Sequence, residues 1–194
     1  MIPRLTNKLA WQLLRSVRKS PVPGVSDRFI AARLDRDALL RTAATLTALL
    51  CVIVLIIFLH ELAPLILLFI APVIAVPAFA YAASPLGYAI DNHAIYVERK
   101  VLRSLRVPLQ QIVAVHQVPR AALQGAIRVY GTGGLFGWAG RYRIPRLGPV
   151  SMQATNLEQL IIIQRRYRKP LLISPADSEA FLAGLRRQFK TIDA

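Results

Sequence analysis

The sequence predicts an α+β membrane protein: an N-terminal amphipathic helix, a two-helix transmembrane hairpin, then a basic, mostly β domain closed by a C-terminal helix. Three observations predict it. Residues 42–83 form one long apolar run with almost no charge. The flanks of that run carry all of the positive charge behind a net +15, the run itself holding only the acid Glu61. After Ala83 the chain turns into short segments rich in β-branched and aromatic residues, parted by turns. The boundaries follow: a basic juxtamembrane region over 1–41, the hairpin over 42–83 and the β domain over 84–194.

Residues Arg4–Lys19 read as a surface helix. At 100° per residue Arg4, Lys8, Arg15, Arg18 and Lys19 share an arc of about 120°. Leu5, Leu9, Ala10, Leu13, Leu14 and Val17 fill the other half, with Trp11 at the edge of the basic arc. A basic face opposite an apolar one suits a helix lying in the headgroup region; the alternative is packing on a partner protein or on the chain's own domain. The cluster Ser20-Pro21-Val22-Pro23-Gly24 breaks this helix. Ser26 or Asp27 is then placed to cap a second helix running through Arg41 into the membrane. There Arg28, Arg33, Arg36 and Arg41 would fix topology and meet anionic headgroups.

From Thr42 to Ala83 the only ionisable side chains are Cys51, His60, Glu61 and Tyr81. About 20 helical residues cross the hydrocarbon, so this run suits two crossings rather than one. A charged Glu61 at the bilayer centre would cost about 2.5–3.5 kcal/mol on insertion scales. Placing His60 and Glu61 at the turn removes that cost. Thr42–Leu59 is therefore the first expected span and Leu62–Ala83 the second. Pro64 fits the first turn of the second helix, while Pro72 and Pro77 would kink it.

Residues 1–42 hold nine Lys or Arg against three acids, and 84–194 hold sixteen against six. The inter-helix turn has no Lys or Arg. The positive-inside rule then puts both termini in the cytoplasm, in a multi-pass protein of the inner (cytoplasmic) membrane. The apolar run begins too late and is too long for a cleavable signal peptide. The acid-free first 26 residues leave a mitochondrial targeting segment as the weaker alternative. Cys51, the single cysteine, has no intrachain partner for a disulfide.

Beyond Ala83, strands are expected at Gly87–Ile90, Ala94–Arg99, Leu105–Pro108, Ile112–Gln117 and Ile127–Tyr130. More follow near Gly140–Ile144, Val150–Ala154, Leu157–Ile163 and Lys169–Ile173. Ser174-Pro175 leads into a final helix, Ala176–Lys190, with Asp177 and Glu179 in its first turn and Arg186, Arg187 and Lys190 near its end. Phe181, Leu182, Leu185 and Phe189 make its apolar stripe. Strands ended by one amphipathic helix imply a curled sheet or barrel plugged by that helix.

Three blocks carry a family resemblance: the glycine-rich run from Arg128 to Tyr142, the turn Ala154-Thr155-Asn156, and Leu172–Phe181, which enters the last helix. Together they resemble the bacterial pleckstrin-homology-like (PH-like) domains that commonly follow a pair of transmembrane helices. The resemblance covers about residues 84–190. It implies a seven-strand, strongly bent β sandwich capped by a C-terminal helix, in a family of binding and scaffolding modules without known catalytic residues.

The glycine-rich stretch Gly131–Gly140 matches no nucleotide motif. A dinucleotide fingerprint has Phe136 where glycine is needed, and a P-loop has Trp138 where lysine is needed. The glycines instead permit positive φ and close backbone approach. Leu135, Phe136 and Trp138 either enter the membrane interface or a partner groove, or pack under the sheet. Arg165, Arg166, Arg168 and Lys169 cluster around Tyr167, either as a clamp for lipid phosphates or as a solvated basic turn. Arg141, Arg143 and Arg146 alternate along another stretch. His60, His93 and His116 show no metal spacing, and no nucleophile grouping has a local signature. No catalytic residue, cofactor or metal site is expected, and nucleic acid is disfavoured as a partner because no recognition motif accompanies the charge. The sequence thus points to a non-catalytic scaffold or accessory subunit of a membrane complex. Its partners would be membrane lipids and other integral membrane proteins; the alternative is a sensor of anionic lipid headgroups.

Overall fold

Residues 25–58 and 63–192 are described in the computed structural model. The expected helix Arg4–Lys19 and the turn at His60 and Glu61 lie outside the described residues. The elements run β1 (Val25–Ile30), α1 (Arg36–Phe58), α2 (Ala63–Ala83), β2 (Pro85–Asp91), β3 (Ala94–Arg99), β4 (Leu105–Pro108) and β5 (Ile112–Val118). They continue with β6 (Ile127–Gly131), β7 (Trp138–Ile144), β8 (Gly148–Ala154), β9 (Leu160–Arg165), β10 (Leu171–Ile173) and α3 (Ser178–Ile192).

The strands form two sheets, of order β1-β2-β3-β4 and β5-β9-β10-β8-β7-β6. All pairings are antiparallel except β8 with β10. Tyr88, Ile90, Ile95, Val97 and Val107 of the first sheet meet Ile161, Ile163, Leu171 and Ile173 of the second, and Phe181 and Leu185 of α3 close this core. A second core lies on the other face of the larger sheet, where Leu160, Ile162 and Leu172 meet Tyr142, Ile144, Val150 and Met152. Strand β9 is therefore buried on both faces, which explains why Leu160–Ile163 reads as a continuous apolar run rather than an alternation.

Three expectations are corrected. The helix expected to begin at Ser26 or Asp27 is strand β1, paired with β2. Phe29 sets its edge on Phe181 at 5.2 Å, and Asp27 pairs with Arg187 at 3.2 Å. These contacts come from residues far along the chain, which local capping signals do not report. Over residues 84–190 the described strands number nine rather than the seven implied by the resemblance, and β1 adds a tenth from outside that range. The last helix starts at Ser178, not Ala176: the Ala176 N–H donates to Ile30 O (2.9 Å), and Asp177 caps the helix by accepting from Ala180 N (2.8 Å).

Helix α1 extends from Arg36, so the basic juxtamembrane turns and the apolar run form one element. Among the described residues one helix, over Arg36–Leu55, is long and apolar enough to cross a membrane, and only 11% of that stretch is buried. Helix α2 is 21 residues long, its sequence is apolar throughout, and Pro72 and Pro77 both lie inside it.

Candidate functional site

The junction between helices and β domain is built around Asp35. This buried residue caps α1, its Oδ1 accepting from Ala38 N (2.7 Å) while Oδ2 accepts from Leu157 N (3.2 Å). One carboxylate thus ties the start of α1 to the turn between β8 and β9. Around it, Ala32 N donates to Ser174 O (2.9 Å), and Ser174 Oγ accepts from Thr155 N (2.8 Å) and Asn156 N (3.2 Å). The Thr155 hydroxyl bonds Ala32 O. The second and third resemblance blocks therefore hold β1's exit against the large sheet. On the exposed side, Arg120 bridges Asp37 of α1 (2.8 Å) and Glu158.

The glycine-rich loop packs on the same junction. Thr132 Oγ donates to Gly137 O (2.8 Å) and accepts from Ala139 N (2.8 Å), folding the loop back on itself. At Gly140, with φ of 141°, a Cβ would stand 2.2 Å from Tyr130 O, so β6 and β7 approach here only because no side chain intervenes. The loop's tip then meets both helices. Arg41 Nη1 of α1 donates to Gly133 O (2.8 Å) and its guanidinium lies 5.3 Å from the Trp138 ring centre. Phe136 N donates to Thr42 Oγ (3.0 Å), and the Phe136 ring meets Tyr81 of α2 edge-on at 5.4 Å. Lys100 places its ammonium 4.4 Å from the Tyr81 ring centre, and partial burial lowers its pKa.

Leu135, Phe136 and Trp138 are thus all half-buried, and two of the three are engaged by the chain's own helices. The loop lies between the helix ends and the sheet. Of the predicted contact residues, Leu135 alone of the trio makes no such ring or cation contact among the described residues, and Arg4, Lys8, Arg15, Arg18 and Lys19 lie outside them. Lys100 and Thr132 carry no signal in the sequence. A lysine after a strand and a threonine beside glycines have no distinctive local pattern, and only their tertiary neighbours reveal their roles.

The basic turn lies elsewhere. Arg165, Arg166, Arg168 and Lys169 connect β9 to β10, and Arg165 bonds the Lys169 carbonyl (2.8 Å from Nε), closing the turn. Burial, and then the Arg168 charge, lowers the Arg165 pKa. Arg166, Tyr167, Arg168 and Lys169 are exposed. Leu157 sits beside the α1 cap, and strand β9, which starts three residues later at Leu160, carries the chain about 17 Å on to Arg165. The path through β2 agrees: Pro85 follows α2, Asp91 ends the strand, and Leu109 N donates to His93 O just before Gln111 O accepts from Arg166 N. The basic turn stands at the end of the domain away from the helices. The structure does not bring it together with Leu135, Phe136 and Trp138.

Against known proteins, a family model described as a bacterial PH domain matches residues 86–189, more than half of the chain. No curated protein and no solved structure matches. The matched region begins after α2 and leaves β1 outside.

Proposed function

This chain belongs to the bacterial PH domain family, whose members bind lipids or proteins, and we propose that it is a membrane-anchored, non-catalytic PH module serving as a scaffold or accessory subunit of a membrane protein complex. The observation that carries this reading is the junction: helices whose apolar side chains face outward are joined to a binding domain by caps and stacked rings. Helices α1 and α2 cross the bilayer as a hairpin, with His60 and Glu61 outside the hydrocarbon and both termini in the cytoplasm. Arg4, Lys8, Arg15, Arg18 and Lys19 face the membrane surface or a partner, as does Leu135. Two experiments test it. The full chain should stay with membranes through alkaline carbonate washing; recovery in the wash fraction would end the anchoring claim. It should also co-purify with integral membrane proteins in mild detergent, and a chain that runs alone at every concentration would end the scaffold claim.

A second reading, contact with anionic headgroups, is favoured by Arg41 and Lys100, two cations beside the helix ends. The turn Arg165, Arg166, Arg168 and Lys169 serves this reading less well, since it stands away from those ends. The full chain should draw anionic lipid over zwitterionic lipid around it in mixed nanodiscs, and replacing Arg41 and Lys100 by Ala should remove that enrichment; enrichment unchanged by the pair would end this reading.

A further inference from the structure

Strand β5 ends the larger sheet: it pairs with β9 on one side, and no strand pairs its other side among the described residues. Helix α3 runs past that open side. Between them lies a cleft of about 400 Å³ lined by four consecutive residues, Ile112 to Val115, and by Leu182, Leu185, Arg186 and Phe189. Successive strand side chains leave on opposite faces, so a cleft meeting four in a row follows the strand's edge, where backbone N–H and C=O groups lie. The helix residues recur at i, i+3, i+4 and i+7 and so present one stripe. The register shifts between Ile112 and Ala114, and Val113, 60% exposed, stands at the rim.

The charge around the cleft has one sign. Its lining holds Arg186 and no acid. At the Ile112 end, Arg165 lies opposite Ile112, and Arg166 N donates to Gln111 O (2.8 Å). Among the described residues no carboxylate lies within 4.0 Å of Arg166, Arg168, Lys169 or Arg186. This disfavours the chain's own basic residues 1–24 and a second copy paired through the same edge, since both would bring like charges together. We propose that this cleft takes an extended partner segment of alternating acidic and apolar residues, added as a further strand on β5. Main-chain hydrogen bonds to the open edge would hold it. Its apolar residues would cover Leu182 and Phe189, and its acids would meet Arg186 and the basic turn. The proposal rests on the reading of the PH domain as a binding module and not on the membrane anchor.

The test uses the full chain in zwitterionic nanodiscs and fluorescent peptides of about ten residues. One alternates Glu and Val, one Lys and Val, and a third is the Glu/Val peptide N-methylated at every second amide. The Glu/Val peptide should bind saturably, about tenfold or more tighter than the other two, and Arg186→Glu should erase its advantage over Lys/Val. No saturable binding, equal binding of the acidic and basic peptides, or undiminished binding after N-methylation would overturn the proposal. With a photo-crosslinker at position 113, a crosslink to the Glu/Val peptide supports it; one to residues 1–24 or to a second copy overturns it. A chain that resists carbonate washing yet ignores the peptide loses the cleft alone. One that binds the peptide yet washes off membranes loses the anchor alone.

Discussion

Helices α1 and α2 and the β domain draw on the same aliphatic residues and bury them to opposite degrees. Leu160, Ile161, Ile162 and Ile163 of β9 are at most 1% exposed, whereas Leu50, Val54 and Leu55 of α1 are all more than half exposed. Val76 and Phe79 of α2 stand out as far as Leu50 does. Apolar composition states a need for cover; the fold decides whether the chain supplies it. The β domain covers the apolar residues of its two cores with two sheets and α3, while Leu50, Val54, Leu55, Val76 and Phe79 of the helices stay uncovered among the described residues.

The largest effect that would sharpen this contrast concerns β1. A fragment of residues 84–194 lacks the strand that pairs β2 and sets Phe29 on Phe181. It should lose cooperative unfolding, and joining residues 25–34 to its N-terminus through a flexible linker should restore it. A fragment that unfolds cooperatively without β1 would show the domain complete by itself. Next, Ile161→Ala should cost about 2–5 kcal/mol in denaturant titration, while Leu50→Ala in detergent should cost under about 0.5 kcal/mol. Equal losses would break the comparison. Leu50→Arg acts on the helices alone: at the centre of the proposed span Thr42–Leu59 a charge costs about 2.5–3.5 kcal/mol of insertion. The carbonate-wash fraction should rise, while the intrinsic fluorescence of the β domain stays unchanged.

Smaller effects probe polar groups. Burial pushes the Tyr88 phenol up to about 12, and its hydroxyl donates to Gln153 O (2.8 Å) and accepts from Ser174 N (3.1 Å). The folded state holds this proton more tightly than the unfolded chain does. Stability from Tyr88 is therefore complete below about pH 10 and lost as pH rises towards 12. Tyr88→Phe should cost about 1–3 kcal/mol at neutral pH, leaving two buried groups unpaired, and should flatten that alkaline decline in pH-dependent melting. Asp35→Ala should cost about 0.5–2 kcal/mol through the lost cap. Asp35→Asn should recover only part of it: its amide oxygen still accepts from Ala38 N, but its NH2 cannot accept from Leu157 N.

Some elements were legible because local chemistry and environment agree. Ala94–Arg99 and Leu105–Pro108 have the expected bounds, since each is a short β-branched segment between turn residues. The glycines of the 131–140 loop suit positive φ, and Gly131, Gly134, Gly137 and Gly140 adopt it. Strand β1 was not legible. Ser26 and Asp27 look like helix caps, and the pairing that overrides them lies with Pro85–Asp91, on the far side of both helices. The loop was legible as irregular backbone but not in its contacts: Phe136 meets Tyr81, and Trp138 packs against the second core and beside Arg41.

By itself, then, the sequence determined what each segment needs. A stretch of that length and apolarity asks for cover, alternating segments ask for a sheet, and basic flanks ask for water or anions. Only the tertiary structure decided which needs are met within the chain. It drew residues 25–35 into the β domain, set the glycine loop between helix ends and sheet, and placed the Arg165–Lys169 turn beside the open edge of β5, far from the helices. The physical reason is range. Hydropathy and capping act over a few residues, whereas strand pairing and ring stacking join groups separated by most of the chain, and their free energy appears only once the whole domain has closed.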